Sequence, residues 1–348
     1  MNFSKRLIYW YLQIKRDLPW RKTKDPYLVW LSEIILQQTK VSQGTSYYLA
    51  FSDEFPTVKD LANAKERKVL KMWQGLGYYS RARNLHFTAQ HILNEFNGKF
   101  PKKHDELLKL KGIGDYTASA ISSICFNEPE AVVDGNVYRV LARYFKIFTP
   151  INSSKGIKQF KKLAQLLLDK KQPGIYNQAI MDFGAIQCKP QNPNCQICPI
   201  NFDCLAFKEN MVKEFPVKEK KSTIKKRYFN YLVFVTDTNK TIFEERKGKG
   251  IWQGLYQFPL IETMTEIHLD ELVPVKEFQR LVPENATIQL YNENSVVHKL
   301  SHQHLYTKFW IIKTENNPKA SVSWEEIELL PVPILIANFL KDFLSKLN

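Results

Sequence analysis

Two domains of different class follow one another in this sequence: an all-α domain over residues 1–215 and an α/β domain over 228–348, joined by a basic linker at 216–227. Three observations predict this. Apolar residues recur at helical spacing up to about residue 210. Prolines punctuate that pattern at Pro19, Pro26, Pro56, Pro101, Pro129, Pro150 and Pro173. Beyond 227 the texture changes to β-branched and aromatic runs. A chain of 348 residues is long enough for two packed cores.

The first candidate helix, 4–16, is amphipathic and unlike a signal peptide. Helices are expected next at 27–38, 43–52, 57–63, 66–74, 80–95, 104–110, 116–125, 136–147 and 157–170. Val217 to Arg227 carries repeated lysines and no apolar face, so it reads as a connector able to touch phosphates. Strands are expected at 228–235, 241–245 and 306–312, and a helical tail at 333–346. No run of eighteen apolar residues is present, which points to an intracellular, cytoplasmic protein. The net charge of +15 favours a polyanionic partner, nucleic acid ahead of a membrane surface.

Four motifs carry chemistry. Glu33 lies in the apolar stretch Tyr27 to Leu36, sharing a helical face with Val29, Trp30 and Gln37, where poor hydration would raise its pKa. Cys188, Cys195, Cys198 and Cys204 fall within one proline-containing loop. That grouping points to metal ligation rather than disulfides, and the spacing alone leaves zinc and an iron-sulfur cluster both open. Cys125, outside the loop, reads as a small core residue. Gly112-Ile-Gly114 sits between two candidate helices, a helix-hairpin-helix pattern whose backbone amides can approach a DNA phosphate; Asp115 is expected to cap the second helix and face away. In Val132 to Val140, Asp134 or Asn136 is placed to cap the helix that follows.

Taken with Pro19-Trp20, Trp30 to Thr39 and Gly75 to Asn84, these segments resemble adenine DNA glycosylases of the MutY type. That family belongs to the helix-hairpin-helix glycosylase superfamily shared with endonuclease III. The resemblance implies a [4Fe-4S] cluster on Cys188, Cys195, Cys198 and Cys204, and a monomer that acts on double-stranded DNA with A:8-oxoguanine or A:G mispairs, with no membrane partner. It implies that Glu33 is the general acid protonating adenine, that Asp134 is the ionised carboxylate stabilising the oxocarbenium-like sugar, and that Tyr116 and Asn136 hydrogen-bond beside them. Tyr116 stands where the bifunctional relatives carry a lysine, so base removal without efficient strand cutting is expected. Gln38, Thr39, Leu76 and Tyr78 match the family's surroundings of the lesion, with Tyr78 inserted into the base stack. Arg16, Trp20, Arg21 and Gln178 match the adenine pocket.

The C-terminal part resembles a Nudix-like 8-oxoguanine recognition domain around Gly248 to Pro259, without the metal-binding helix that pyrophosphate hydrolysis needs. Ser301 and His302 match its lesion-reading motif, but Leu300 replaces the aromatic residue. Two other readings are an endonuclease III-like glycosylase for oxidised pyrimidines, disfavoured by Tyr116 and the second domain, and a non-catalytic DNA-binding redox sensor, disfavoured by Glu33 and Asp134 together.

Overall fold

Residues 2–219, 224–315 and 321–347 are described in the computed structural model. They divide into two units, one of Met1–Ala64 with Arg83–Lys220 and the other of Lys65–Ala82 with Lys221–Asn348. The segment Lys65–Ala82, read from sequence as part of the first domain, thus clusters with the C-terminal unit. Residues 220–223 of the expected linker lie outside the described residues. What is described of it is not a plain connector: Val217 accepts a hydrogen bond from the Ile151 amide (3.0 Å), and the linker's last residues already form strand from Lys225.

The helices are α1 (Phe3–Ile14), α2 (Pro26–Leu36), α3 (Val41–Glu54), α4 (Val58–Asn63), α5 (Glu66–Met72), α6 (Ser80–Phe96), α7 (His104–Leu107), α8 (Asp115–Phe126), α9 (Gly135–Tyr144), α10 (Ser154–Leu167), α11 (Pro173–Asp182) and α12 (Leu205–Lys208). Local chemistry sets their starts. Asn2 accepts from the Lys5 amide, Thr57 and Asp60 form a capping box, and Ser153 accepts from the Gly156 amide. Pro26 and Pro173 open helices rather than ending them, because the first helical position has no use for the missing N–H. The sequence pattern predicts no helix between 170 and the linker, so α11 is not anticipated there.

Among the described residues, the regular elements of the first unit are helices. α1, α9 and α11 surround one apolar core that includes Leu7, Trp10, Val140, Tyr176 and Phe183. α2 is buried nearly all round, with the Trp30 ring edge-on to Phe100 at 5.4 Å and the Tyr27 hydroxyl donating to the Phe55 carbonyl at 2.6 Å. It packs against α3 and α8.

The second unit, apart from α5, is built on a sheet of order β5-β1-β8-β6, with β7 also on β8. Here β1 is Lys225–Thr236, β5 Leu260–Thr263, β6 Thr287–Leu290, β7 Val296–Lys299 and β8 Gln303–Thr314; short pairs join β2 (Lys240–Ile242) to β9 (Ser321–Ser323) and β3 (Glu244–Glu245) to β4 (Tyr256–Gln257). β1 and β8 run parallel, pairing Tyr231 with Phe309 and Leu232 with Trp310. Both faces of this pair are covered, which explains the unbroken buried run from Phe229 to Phe234. On one face Leu232, Phe234, Trp310 and Ile312 pack with Leu272 of α13 (Leu269–Leu272) and Phe278 of α14 (Lys276–Leu281); on the other Phe309 stacks on Phe339 of the terminal helix α16 (Ile334–Leu347) at 4.0 Å, and Trp324 of α15 (Trp324–Glu328) meets Phe343 at 5.5 Å. Among the described residues, no helix is long and apolar enough to cross a membrane.

The turn between α7 and α8 depends on glycine. Gly112 has φ +81°, and a Cβ there would lie 2.7 Å from Cβ of Asn84. Gly112→Ala is therefore expected to destabilise the protein by about 1–3 kcal/mol, measured by urea unfolding; unchanged stability would mean that the turn has another conformation.

Candidate active site

Glu33 occupies the middle of α2 between buried Ser32 and Ile34. The residue as a whole is half-buried, and protein surrounds its carboxyl closely enough for desolvation to dominate. Desolvation raises its pKa from 4.5 to about 7; the Tyr116 hydroxyl that bonds to it and the charge of Arg21 pull it down, and the charge of Asp134 pushes it up. Tyr116 lies in the first turn of α8, directly after the Gly112 turn. Its hydroxyl stands between the Glu33 carboxylate and Met181 Sδ, 3.3 Å away, and feels the charge of Asp134 as well. The two acids, far apart in sequence, are thus brought together around Tyr116.

Asp134 caps α9. Its Oδ1 accepts from the amides of Asn136 (2.9 Å) and Val137 (2.8 Å), and its Oδ2 from Asn136 Nδ2 (2.7 Å). Burial raises its pKa, partly offset by these hydrogen bonds and by Arg139. Capping and presentation at the site are one arrangement here, since the donors orient the carboxylate and favour its charge.

Asn136 is itself held. Arg139 donates to Asn136 Oδ1 (2.8 Å), to the Gly184 carbonyl (2.7 Å) and to the Cys188 carbonyl (2.8 Å). One turn on, Arg143 donates to the carbonyls of Lys189 (2.7 Å) and Pro190 (3.0 Å) and lies 3.4 Å from Cys188 Sγ. The close approach needs Gly184, where a Cβ would fall 2.5 Å from that of Asn136. A chain of hydrogen bonds therefore runs from the cysteine loop to Asp134.

Cys188, Cys195, Cys198 and Cys204 line one pocket, walled by Val140, Phe183, Ile200 and Phe207. Backbone amides of Ile200 and Phe207 bond to the sulfurs of Cys198 and Cys204, an environment suited to thiolate ligands. Among the described residues, no three acidic, histidine or cysteine side chains stand close enough to share a single ion. Cys125 sits apart, partly buried in α8, where burial pushes its thiol up to about 12.

Asp182, the last residue of α11, was missed with its helix. Its fully buried carboxylate accepts from Arg16 Nε (3.0 Å) and Arg21 Nη2 (2.6 Å), with further close pairs to both guanidinium groups. Burial pushes its pKa up, but the bonds from Arg21 and Arg16 outweigh this and hold it below the usual value. The Arg21 guanidinium lies over the Tyr11 ring at 5.6 Å, and the Tyr11 hydroxyl donates to Gln178 Oε1 at 2.9 Å. Arg16, Arg21 and Gln178 are thus gathered with α1 and α11. Trp20 is packed edge-on to Tyr48 at 5.3 Å, buried as a core residue.

Asp115 does not cap α8 as expected. Gly114 takes the N-cap position, and the Asp115 carboxylate pairs with Lys161 at 2.9 Å, because the lysine offers a charge where the cap offers an amide. Gly112 and Gly114 are exposed on the first unit, as is Gln38 (φ +58°), while Thr39 is half-buried with its hydroxyl on the Gln37 carbonyl. In the second unit Leu76 is buried, Tyr78 is exposed, and Ser301 and His302 are exposed at the turn from β7 to β8, which the Leu300 amide closes onto the Gln303 carbonyl (2.9 Å).

Comparison with known proteins decides the family. The profile of the HhH-GPD superfamily base excision DNA repair protein matches residues 31–177, the iron-sulfur binding domain of endonuclease III matches 188–204, and the NUDIX domain matches 230–342. The adenine DNA glycosylase of Buchnera aphidicola subsp. Schizaphis graminum is 39% identical over 75% of this chain and 75% of its own. That of Buchnera aphidicola subsp. Acyrthosiphon pisum is 31% identical over 98% and 97%, and that of Rattus norvegicus 32% over 93% and 74%. The chain belongs to the adenine DNA glycosylase family. Among solved structures, a thermostable thymine-DNA glycosylase aligns with TM-score 0.56 and 29% identity over 60% of this chain and 95% of that one. A non-covalent endonuclease III–DNA complex aligns at 0.52 and 23%, covering 60% and 94%, and so shares the fold. This adenine glycosylase is therefore a DNA N-glycosylase of base excision repair, with an iron-sulfur binding loop.

In this glycosylase Asp182 neutralises Arg21 close to Glu33. Asp182→Asn is expected to cost about 3–5 kcal/mol in urea unfolding, because two arginines lose a buried partner, and to lower the pKa of Glu33. Unaltered stability would show that Arg16 and Arg21 find other partners. Glu33→Gln should act in the opposite sense on stability. Glu33 is protonated below pH 4.5 in both states, and between that pH and about 7 the folded form resists ionisation. The variant should then melt above the parent at pH 8 and lose that advantage towards pH 5; a gain independent of pH would refute the raised pKa.

Proposed function

We propose that this enzyme excises adenine standing opposite 8-oxoguanine or guanine in duplex DNA, and that Glu33 and Asp134 carry the chemistry. The observation behind this reading is the meeting of those two carboxyl groups around Tyr116, one held near-neutral by desolvation and the other ringed by hydrogen-bond donors. An adenine inside a duplex is out of reach, so the nucleotide is flipped out. Neutral Glu33 gives its proton to adenine N7. The bond from N9 to sugar C1′ then breaks, its electron pair leaves with the base, and positive charge gathers on the sugar. Asp134 stabilises that charge, and water supplies the hydroxyl that C1′ gains while losing its own proton to solvent.

Tyr116 orients Glu33 and has no amine for a Schiff base, so strand cutting does not follow base removal. Asn136 aims Asp134. Arg16, Arg21 and Gln178 border the adenine pocket, and Trp20 supports it from the core. Gly112 and Gly114 offer amides to a DNA phosphate. Gln38, Thr39, Leu76, Tyr78, Ser301 and His302 read the opposite base. A [4Fe-4S] cluster suits Cys188, Cys195, Cys198 and Cys204, which wall one pocket without converging on a single ion. When bound it supplies a rigid anchor for the loop that Arg139 and Arg143 grip. The enzyme acts as a monomer.

Single-turnover adenine release from duplexes with A opposite 8-oxoguanine, G, C or T tests the reading. The 8-oxoguanine pair should react fastest, and Glu33→Gln and Asp134→Asn should each lose on the order of 10²-fold or more. Since Glu33 must be protonated, the parent rate should fall as pH rises through about 7. Since Asp134 must be ionised, it should also fall on acidification, at a pH above the usual carboxylate range. Equal rates on all four duplexes would refute the substrate, and unimpaired variants the mechanism.

A further inference from the structure

Arg81 is buried, an unusual place for a guanidinium. The turn Gly75 to Tyr78 packs against it. Its Nη2 donates to the carbonyls of Leu76 (3.3 Å) and Gly77 (3.2 Å), and its guanidinium carbon lies 5.1 Å from the Trp73 ring and 5.7 Å from the Tyr78 ring. Trp73 adds a hydrogen bond from its indole to the Gly77 carbonyl at 3.0 Å. In the turn they hold, Gly75 (φ +100°) and Gly77 (+70°) take conformations open to glycine, whereas Tyr78 at +47° is in a left-handed conformation costly for a residue with a side chain. Such a conformation persists only where neighbouring contacts over-determine it.

The result is a tyrosine ring half exposed to solvent, with a cation against it and its hydroxyl bonded to the Ser301 hydroxyl. Desolvation lowers the pKa of Arg81 to about 10, so the guanidinium stays charged at neutral pH. A lysine would keep that charge but lack the planar fork that reaches two carbonyls while lying against two rings.

We propose that Arg81 is a positioning residue for recognition of the base opposite adenine: it fixes the Leu76–Tyr78 backbone so that Tyr78 is presented in its stacking orientation before DNA arrives. The inference rests on the reading that Tyr78 contacts the opposite base. Preorganisation of this kind would favour the 8-oxoguanine pair over the guanine pair through Tyr78, rather than through the chemistry at Glu33.

The test is a double-mutant cycle read as a ratio, the single-turnover rate on A opposite 8-oxoguanine divided by that on A opposite guanine, for the full-length holoenzyme. Arg81→Met should lower the ratio about fivefold or more, whereas in a Tyr78→Ala background it should change it less than about twofold. Arg81→Lys should also lose ratio in the parent background, and it carries the same cycle if Arg81→Met does not yield folded protein. The inference is overturned if both rates fall together and the ratio stands, if the ratio falls equally with and without Tyr78, or if Arg81→Lys keeps the full ratio. A parent with no preference for 8-oxoguanine overturns the substrate reading and this inference with it. A parent preference that the Arg81 variants leave intact overturns this inference alone.

Discussion

A carboxyl group denied full hydration is the constraint on which the helical unit turns. α2 is apolar on nearly every side because it is wedged between α3 and α8, and Glu33 is carried into that setting by its place in the helix. The hydroxyl bonded to it, that of Tyr116, comes from the first turn of α8, immediately beyond Gly112 and Gly114. The hairpin turn and the residue whose hydroxyl bonds to Glu33 are therefore set by one backbone geometry. A shift in the hairpin is felt at Glu33 without any intervening machinery.

The second acid is governed from the other end of the unit. Asp134 caps α9, and the same helix presents Arg139 and Arg143, four residues apart and hence on one face, to the cysteine loop. Through Arg139 and Asn136 the loop and the carboxylate share a chain of hydrogen bonds. This ties the cysteine loop structurally to the Asp134 carboxylate. Asp182 completes the electrostatic setting by matching Arg16 and Arg21, the second of which acts on Glu33 by lowering its pKa.

The second unit owes its composition to hydrogen bonds rather than to chain order. Lys71 donates to the Leu330 carbonyl (3.1 Å), Gln74 accepts from the Val332 amide (3.2 Å), and Tyr79 donates to the Val332 carbonyl (3.2 Å). These bonds fasten the turn that carries Leu76 and Tyr78 into the same unit as Ser301 and His302. Residues more than two hundred positions apart thus form one polar and aromatic surface, and the strained Tyr78 backbone is braced from within it.

Much of this was legible in the chain. The helical period, the shift to strand-like runs, the cysteine spacing and the paired motifs around Glu33 and Asp134 depend on local pattern, and local pattern survives folding. Helix starts at proline were misjudged because the same residue ends a helix in its interior and opens one at its first position, as at Pro173. Asp182 gave no local signal, since its role is defined by Arg16 and Arg21 arriving from the segment that follows α1. Trp20 and Asp115 show the same limit: one is used by the core, the other by Lys161. The sequence by itself determined the two folds and which residue types were available for chemistry. Tertiary structure decided which of them meet, which are spent on packing or ion pairs, and that a segment of the helical region joins the C-terminal unit, because burial and pairing depend on partners that arrive from distant parts of the chain.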